Sequence, residues 1–280
     1  MIDLRDTIAN IKTHMTDGSA RAMTYAALEC RLAIERICYD RLARAHDYIS
    51  HEEIRRWPPR HVIKVLEEDV DPHVASTYTI SMARHPPAEG DDLSTLEYVP
   101  LGTQQGFDGR LITKLWNGLA NTALHVSLPK SSAVQVEHFG DIKAIREKVE
   151  QALIEIERIA SGTLTSTGIG PEVSFICDCG TRIKRRSELL SAGKVIHCIN
   201  PHCTESFEVE LAEKEITFVL RKVHATCTCR KIHHFPVKPL ENMRVGEIRK
   251  FLCSCGDEIV FHCRIFYGTS KPGKMESTTG

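Results

Sequence analysis

The 280-residue sequence lacks any run of 18 apolar residues, about the length that a membrane-spanning helix needs. Its first residues, Met1–Asp6, are polar and acidic and do not have the apolar stretch of a secretory signal peptide. These two absences predict a cytoplasmic protein with no membrane partner. In that reducing compartment, cysteines are held as thiols or zinc thiolates rather than as disulfides.

Phenylalanine is scarce before residue 171, since seven of the nine phenylalanines lie beyond it. The first part is instead rich in helix-forming residues, and apolar periodicity predicts helices over residues 19–48, 108–125 and 142–159. After residue 171 the apolar period changes to two, which is typical of half-buried strands. The predicted fold class is therefore α+β, with an all-α helical bundle followed by small β modules.

A stretch rich in Ser, Gly and Thr separates these two parts and is typical of a linker. The predicted organisation is a helical bundle over residues 1–160, a linker at 161–172, two β modules at 173–212 and 213–268, and a disordered tail at 269–280.

Four pairs of cysteines occupy the last 110 residues. Two thiolates close in sequence supply half of a tetrahedral zinc site, and a second pair completes it. The sequence therefore predicts two structural zinc ions in zinc-ribbon-like modules. The ligands of the first site are Cys177, Cys179, Cys198 and Cys203, and those of the second are Cys227, Cys229, Cys253 and Cys255. Interleaved pairing is the alternative, as is replacement of one cysteine by His197 or His202.

Three of the pairs have the form Cys-X-Cys within segments that resemble one another. On a flat strand the two side chains would lie about 6–7 Å apart, whereas ligands of one zinc need sulfurs about 3.8 Å apart. Each pair must therefore occupy a tight turn, for which Gly180 and Gly256 are suited. The remaining cysteines, Cys30, Cys38 and Cys263, are expected to be core residues.

Net charge is small and unevenly distributed, at −5 over residues 1–170 and +4 over residues 171–280. Eight thiolates and two zinc ions would cancel the positive excess, so nucleic-acid binding would depend on a local patch. Basic clusters and a neighbouring ring predict an interface with nucleic acid, RNA rather than DNA. Its predicted residues are Lys184, Arg185, Arg186, Arg230, Lys231 and His233. A solvated basic face is the alternative, with a protein as partner.

The helical part resembles the HEPN-type domain over about residues 15–160. The resemblance rests on Glu29–Glu35 of the first long helix and on Leu119–His125 further along the chain. It implies a dimeric helical bundle, often found in defence or toxin-related systems. Active members of this family are metal-independent endoribonucleases whose motif is an arginine, a polar residue, three further residues and a histidine.

On this chain the resemblance assigns the polar position to Asn121 and the histidine to His125, but Ala120 occupies the arginine position. The cation that would stabilise the developing phosphorane charge is missing, and such stabilisation is often the largest catalytic contribution. The expectation is therefore a degenerate domain without robust activity. The alternative is an active endoribonuclease that uses His125 and Asn121, or Arg41 and His46.

Isoleucines and other apolar residues from Ile142 to Ile159 recur at three- and four-residue steps. This stripe indicates either a helix that faces the core or the seam of a homodimer.

Three functions follow from the sequence: a zinc protein that binds or senses nucleic acid, an active endoribonuclease, and an adaptor for protein interactions.

Overall fold

The structure is a computed structural model and describes residues 3–49, 58–125, 140–166, 170–213 and 215–265. The α+β fold class is confirmed, since helices dominate the chain up to residue 160 and small antiparallel sheets follow from residue 172. The chain forms two compact units. The first runs to Leu190 and includes Ile199–Pro201, and the second comprises Ser191–Cys198 and the chain from His202 onward.

The predicted limits of the linker and of the two β modules stay predictions, and the predicted tail at 269–280 lies outside the described residues. None of the helices in the described ranges has the length and apolarity that crossing a membrane requires.

Within the described ranges, five α-helices form the helical part of the first unit. They are α1 (Arg5–Asp17), α2 (Ala20–Arg44), α3 (Pro59–Asp69), α4 (Gly109–Leu119) and α5 (Ile142–Ala160). Three of them begin at a side chain that accepts backbone N–H groups of the first turn, namely Ser19 before α2, Asp108 before α4 and Asp141 before α5. Helix α1, which the periodicity did not predict, ends at Gly18 with φ of 67°.

Helix α2 lies at the centre of this unit, and its buried face is made mostly of small residues. Ala26, Cys30 and Ala33 are fully buried, and such side chains let neighbouring helices approach closely. The Cys30 thiol lies 4.0 Å from the carbonyl oxygen of Val149 on α5. Small side chains on α2 therefore fix the distance between the two longest helices.

The apolar stripe of α5 faces this core. Ile145, Val149 and Ile156 are fully buried within the single chain, whereas Ile142 at its start is 42% exposed. The core-facing interpretation of the stripe is thus confirmed. A homodimer through the helical part stays a prediction, but the stripe no longer argues for it.

A β-hairpin interrupts the helices, which the all-α expectation for this part did not include. Strand β1 (Tyr78–Ala83) pairs with β2 (Tyr98–Gln104), with a register shift between Ile80 and Ser81. Both strands are short and mostly exposed, and β2 contains Pro100. Period-two alternation over so few residues gave no strong strand signal.

Buried polar groups join the end of the hairpin to the helices. Gln104 is fully buried and donates to the carbonyl oxygens of Val74 and Ser76, each at 3.2 Å. The guanidinium of Arg41 on α2 donates to the side-chain oxygen of Gln104 and to the backbone oxygen of Gln105. Arg41 is 5% exposed, and burial lowers its pKa. These hydrogen bonds satisfy a guanidinium that would be costly to bury alone.

The β part consists of three two-stranded hairpins and one three-stranded sheet. The hairpins are β3 (Glu172–Ile176) with β4 (Arg182–Arg186), β8 (Lys222–Thr226) with β9 (Ile232–Pro236), and β10 (Ile248–Leu252) with β11 (Glu258–His262). The sheet has the order β5 (Val195–His197), β6 (Ser206–Ala212), β7 (Glu215–Leu220). A short helix, α6 (Val237–Glu241), follows β9.

Candidate metal centres

The three Cys-X-Cys segments form the same turn, each between two paired strands. In each, the N–H of the first cysteine donates to the carbonyl oxygen four residues later, at 2.9, 2.9 and 2.8 Å for Cys177, Cys227 and Cys253. The same cysteine's carbonyl oxygen accepts the N–H of the residue three positions on, at 2.8, 2.8 and 3.0 Å. The weak sequence repeat therefore encodes one shared backbone turn.

The residue after each second cysteine adopts a left-handed backbone conformation. Gly180 and Gly256 have φ of 84° and 98°, as the sequence predicts for tight turns. The equivalent residue of the β8–β9 hairpin is Arg230, with φ of 68°, and it is the one positive-φ residue other than glycine in the described part of the chain. A side chain in this conformation costs about 1–2 kcal/mol.

The structure brings the eight cysteines into two groups of four. One contains Cys177, Cys179, Cys198 and Cys203, and the other contains Cys227, Cys229, Cys253 and Cys255. Within each group the four sulfurs all lie within 4.8 Å of one another. The groups are those predicted from the order of the pairs, not the interleaved alternative.

Sulfur spacing in the second group fits tetrahedral zinc. The sulfurs of Cys227 and Cys255 are 3.5 Å apart, and those of Cys229 and Cys253 are 3.8 Å apart. Zinc–sulfur bonds of roughly 2.3 Å in a tetrahedron place sulfurs about 3.8 Å apart. An all-thiolate set leaves no open coordination position. The two groups therefore support two structural zinc sites, which hold parts of the chain together rather than carry out chemistry.

Side chains around the second group link its two turns. Thr228 of one turn donates to the carboxylate of Asp257 of the other, and the ammonium of Lys231 lies 3.2 Å from the Ser254 hydroxyl oxygen. These contacts join the β8–β9 hairpin to the β10–β11 hairpin beside the sulfurs. In metal sites generally, hydrogen bonds around the ligands hold them in the orientation that the metal needs, and these contacts can do the same for the two turns.

His233 also belongs to the surroundings of this group. Its Nε2, on strand β9, lies 3.1 Å from the Cys253 sulfur. The backbone N–H of Cys255 lowers the pKa of Cys253, and hydrogen bonds from neighbouring thiols and from His233 add to this effect. A lowered thiol pKa favours the thiolate, which is the form that binds zinc. The predicted role of His233 in stacking on a base stays a prediction, and its position beside Cys253 would let it orient a zinc ligand.

A small aromatic core supports the same group. Phe235 of β9 lies with its ring centroid 4.5 Å from that of Phe251 and 5.0 Å from that of Phe261. The rings are tilted or edge-on, the arrangements that aromatic pairs prefer. Three half-buried rings are a small core for two hairpins, so the metal must supply much of the stability.

In the first group, Cys177, Cys198 and Cys203 are buried and Cys179 is exposed. The Asn200 side-chain amide lies 3.8 Å from the sulfur of Cys179. The remaining cysteines lie outside both groups, as do His197 and His202. Burial raises the pKa of Cys30 and of Cys38 to about 12, so these are inert core thiols, as predicted.

The predicted nucleic-acid residues fall into two sets. Arg185 and Arg186 are only 2% and 7% exposed, so their guanidinium groups are not displayed on the surface. Arg186 instead lies 5.3 Å above the Tyr48 ring and 3.7 Å from Glu172, which also accepts the Tyr48 hydroxyl and pairs with Lys184. Arg230 and Lys231, by contrast, are exposed at the tip of the β8–β9 hairpin.

Three other basic residues of the second unit have acidic partners. Arg221 pairs with Glu241 at 2.6 Å, Arg249 with Glu247 at 2.9 Å, and Lys250 with Glu258 at 2.7 Å. Among the described residues Arg230 forms no salt bridge. The β8–β9 tip is thus one place in the second unit where exposed positive charge has no carboxylate partner among the described residues.

The candidate catalytic residues lie in the first unit. Asn121 and His125 are both exposed, on and just after a π-helical turn, Ala120–Leu124, that continues α4. Ala120 is 6% exposed and faces the core, so an arginine there would not fit without movement. In the alternative pair, Arg41 is buried against Gln104, whereas the exposed His46 lies 2.9 Å from Asp47.

No protein-family model, curated protein or solved structure matches this chain. Its two parts are an N-terminal helical region and a C-terminal region of small sheets that carries both groups of four cysteines.

Proposed function

We propose that this protein uses its second zinc centre to bind nucleic acid, and that the tip of the β8–β9 hairpin contacts the RNA phosphates. The observation that carries the proposal is Arg230. It is exposed, has no salt-bridge partner among the described residues, and is followed directly by the exposed Lys231. The turn that presents both side chains also carries two of the zinc ligands, Cys227 and Cys229.

The backbone of Arg230 supports this role. The two equivalent turns have glycine at this position, where the left-handed conformation has no steric cost. Holding an arginine there costs stability, and such costs persist mostly at functional sites. A guanidinium at the end of a rigid turn can donate two hydrogen bonds to one phosphate, which makes it well suited to this contact.

Charge pairing reduces the contribution of other basic residues of the second unit. Lys250 and Arg249 have carboxylate partners within 3 Å, and so they contribute little net field. Lys231 uses one of its three N–H donors on Ser254 and keeps the others for a ligand. The zinc-loaded modules are nearly neutral overall, so nucleic-acid binding depends on a local basic patch rather than on net charge.

The test is a titration of the zinc-loaded chain with an unstructured RNA at several salt concentrations. We expect the double variant Arg230→Gly with Lys231→Ala to bind about tenfold more weakly at low salt. Each lost phosphate contact should also reduce the slope of log K against log salt by about 0.7. Glycine at position 230 relieves the backbone strain, so a loss of affinity could not be attributed to a damaged turn.

Lys250→Ala is the matched control, because it removes one positive charge from the same unit at a residue that is already paired. It should leave affinity and salt slope nearly unchanged. Equal affinity of native protein and double variant, or an equal loss in the control, would refute the assignment to the β8–β9 tip.

A second candidate function is metal-independent RNA cleavage by the HEPN-like region. The observation that favours it is the exposure of Asn121 and His125 at a π-helical turn, a feature frequent at functional sites. A lone imidazole acting as a base typically supplies about 10²–10⁴-fold acceleration. Without the arginine, a further factor of about 10²–10³ is absent.

We therefore expect no robust cleavage by the native chain in the presence of chelator. The measurement compares native protein with His125→Ala on an unstructured RNA. Cleavage by the native chain that His125→Ala abolishes would make this protein an enzyme. Cleavage abolished by His46→Ala instead would place the site at the end of α2. If neither binding nor cleavage of RNA is measured, the adaptor hypothesis is the one that survives.

The proposal includes a homodimer through the helical part, which rests on the resemblance to HEPN domains. We expect the full chain, of 31.5 kDa, to show twice that mass in light scattering at tens of micromolar. A single-chain mass over this concentration range would contradict the dimer. A role in a defence or toxin-related system rests on the same resemblance.

A further inference from the structure

Strand β1 and the turn before it form the wall of an open cavity of about 510 Å³ in the first unit. The wall consists of Asp71, His73, the segment Ser76–Ser81 and Glu188. Its wall contains none of the residues to which the proposed functions assign a role. Its size is within the range of small-molecule sites.

The polar groups of the wall are mostly hydrogen-bond acceptors. It contains two carboxylates, five hydroxyl groups and no lysine or arginine. Hydroxyl and carboxylate oxygens accept hydrogen bonds, and the two carboxylates outnumber His73, the one basic side chain of the wall, which favours a negative potential in the cavity. The wall therefore disfavours phosphates and other anions and favours a positively charged donor.

Asp71 provides the strongest indication of a missing partner. The residue is only 3% exposed, and its Oδ1 accepts the backbone N–H of His73 at 2.8 Å. Its Oδ2 is buried and has no hydrogen-bond partner among the described residues, and the same is true of the Tyr78 hydroxyl. A buried carboxylate oxygen without a partner is destabilising. A hydrogen bond from a ligand's donor would remove this cost and so contribute to the free energy of binding.

The wall is held in place by backbone hydrogen bonds. The N–H of Val74 donates to the Asp71 carbonyl oxygen at 3.1 Å, and the N–H of Ser76 donates to that of His73 at 2.8 Å. The N–H of Gly106 donates to the Thr77 hydroxyl at 2.9 Å. A ligand would thus meet a largely preformed surface, which reduces the entropic cost of binding.

A metal ion is a poor fit for this cavity. Within the described ranges, the two cysteine groups are the places where three or more ligating side chains converge, and Asp71, His73 and Glu188 do not form a third. We infer that the cavity binds an ammonium or guanidinium group, whose several N–H donors pair with Asp71 and Glu188 and with the hydroxyls between them. A polyamine or a basic side chain of a peptide would supply this chemistry.

The experiment is calorimetric titration of the full zinc-loaded chain at physiological salt with four probes. Three are cations, namely spermidine, methylguanidinium and lysine capped at both ends, and the fourth is inorganic phosphate. We expect saturable binding of at least one cation and none of inorganic phosphate at the cavity. Asp71→Asn keeps the oxygen that accepts the His73 N–H but removes the charge, and it should weaken binding about tenfold to a hundredfold. Glu188→Gln should weaken it several-fold.

Glu89→Gln is the control, since it removes the same charge from an exposed loop residue outside the cavity wall. It should leave affinity unchanged. Preference for spermidine would identify a small polyamine, and preference for capped lysine would identify a peptide side chain; either supports the site. The inference fails if no cation binds, or if Asp71→Asn and Glu188→Gln fold normally and bind as tightly as the native chain.

Discussion

Replacing Cys253 by serine is expected to remove about one of the two zinc ions per chain and to unfold the second zinc module. Serine is a poor zinc ligand, and three thiolates cannot complete the closed tetrahedron of a structural site. Structural zinc contributes on the order of 10–16 kcal/mol in small zinc-binding peptides, as much as the whole stability of a typical domain. Metal analysis, with amide exchange over residues 222–262, measures both effects.

The size of the expected effect follows from the small core of this module. Besides the sulfurs, three half-buried phenylalanines join its hairpins, and such a core rarely supplies more than about 3–5 kcal/mol. Chelation of the native chain should therefore unfold the same region. The helical core has its own buried apolar cluster and should keep its helical circular dichroism signal.

Cys263→Ser is the matched control, because Cys263 lies in the same part of the chain but outside both cysteine groups. It should retain two zinc ions. Cys179→Ser should remove the other ion and leave the second module folded. A fully reduced native protein without zinc, or a Cys253→Ser protein that keeps two ions, would contradict the proposed metal centres.

The second large effect is expected from Gly106→Ala. A Cβ atom at this position would lie within 3.0 Å of backbone atoms of Ala75, Ser76 and Thr77. Backbone atoms cannot move away as a flexible side chain can. The segment that follows β2 would therefore have to move away from the turn that precedes β1. Overpacking of this kind costs about 1–3 kcal/mol or more. Thermal or denaturant unfolding of the helical unit measures the loss.

Gly109→Ala provides the comparison, since it lies three residues away and a Cβ there meets nothing within 4 Å. At the start of α4 an alanine should be neutral or stabilise the protein by up to about 1 kcal/mol. Equal stability of the two variants would show that the close contact at Gly106 is relieved by movement of the backbone.

The metal centres could be predicted from the sequence because their information is local. Cys253 and Cys255 are two residues apart, and the turn between them is set by their own backbone and by Gly256. Zinc chemistry then requires a second pair, and the chain offers one next in order. Helix α5 was predicted for a similar reason, since its apolar period extends over five turns.

The burial of two arginines could not be predicted in this way. Residue type alone favours exposure of Arg185, but on a strand residues two apart share a face. Arg185 lies on the same face of β4 as Ile183, and both are buried. The position of Arg185 in the strand therefore buries a side chain of a type that is usually exposed. The position of Arg186 depends on Tyr48, over a hundred residues earlier in the chain, and no local pattern indicates that contact.

The order of the ligands along the chain has a consequence for synthesis. The first cysteine group is complete at residue 203, before the second begins at residue 227. All four ligands of one ion therefore emerge from the ribosome before any ligand of the next emerges, and the first ion can be captured without competition from the other set. Because each Cys-X-Cys turn closes through contacts only four residues apart, such a half-site can form within moments of leaving the exit tunnel.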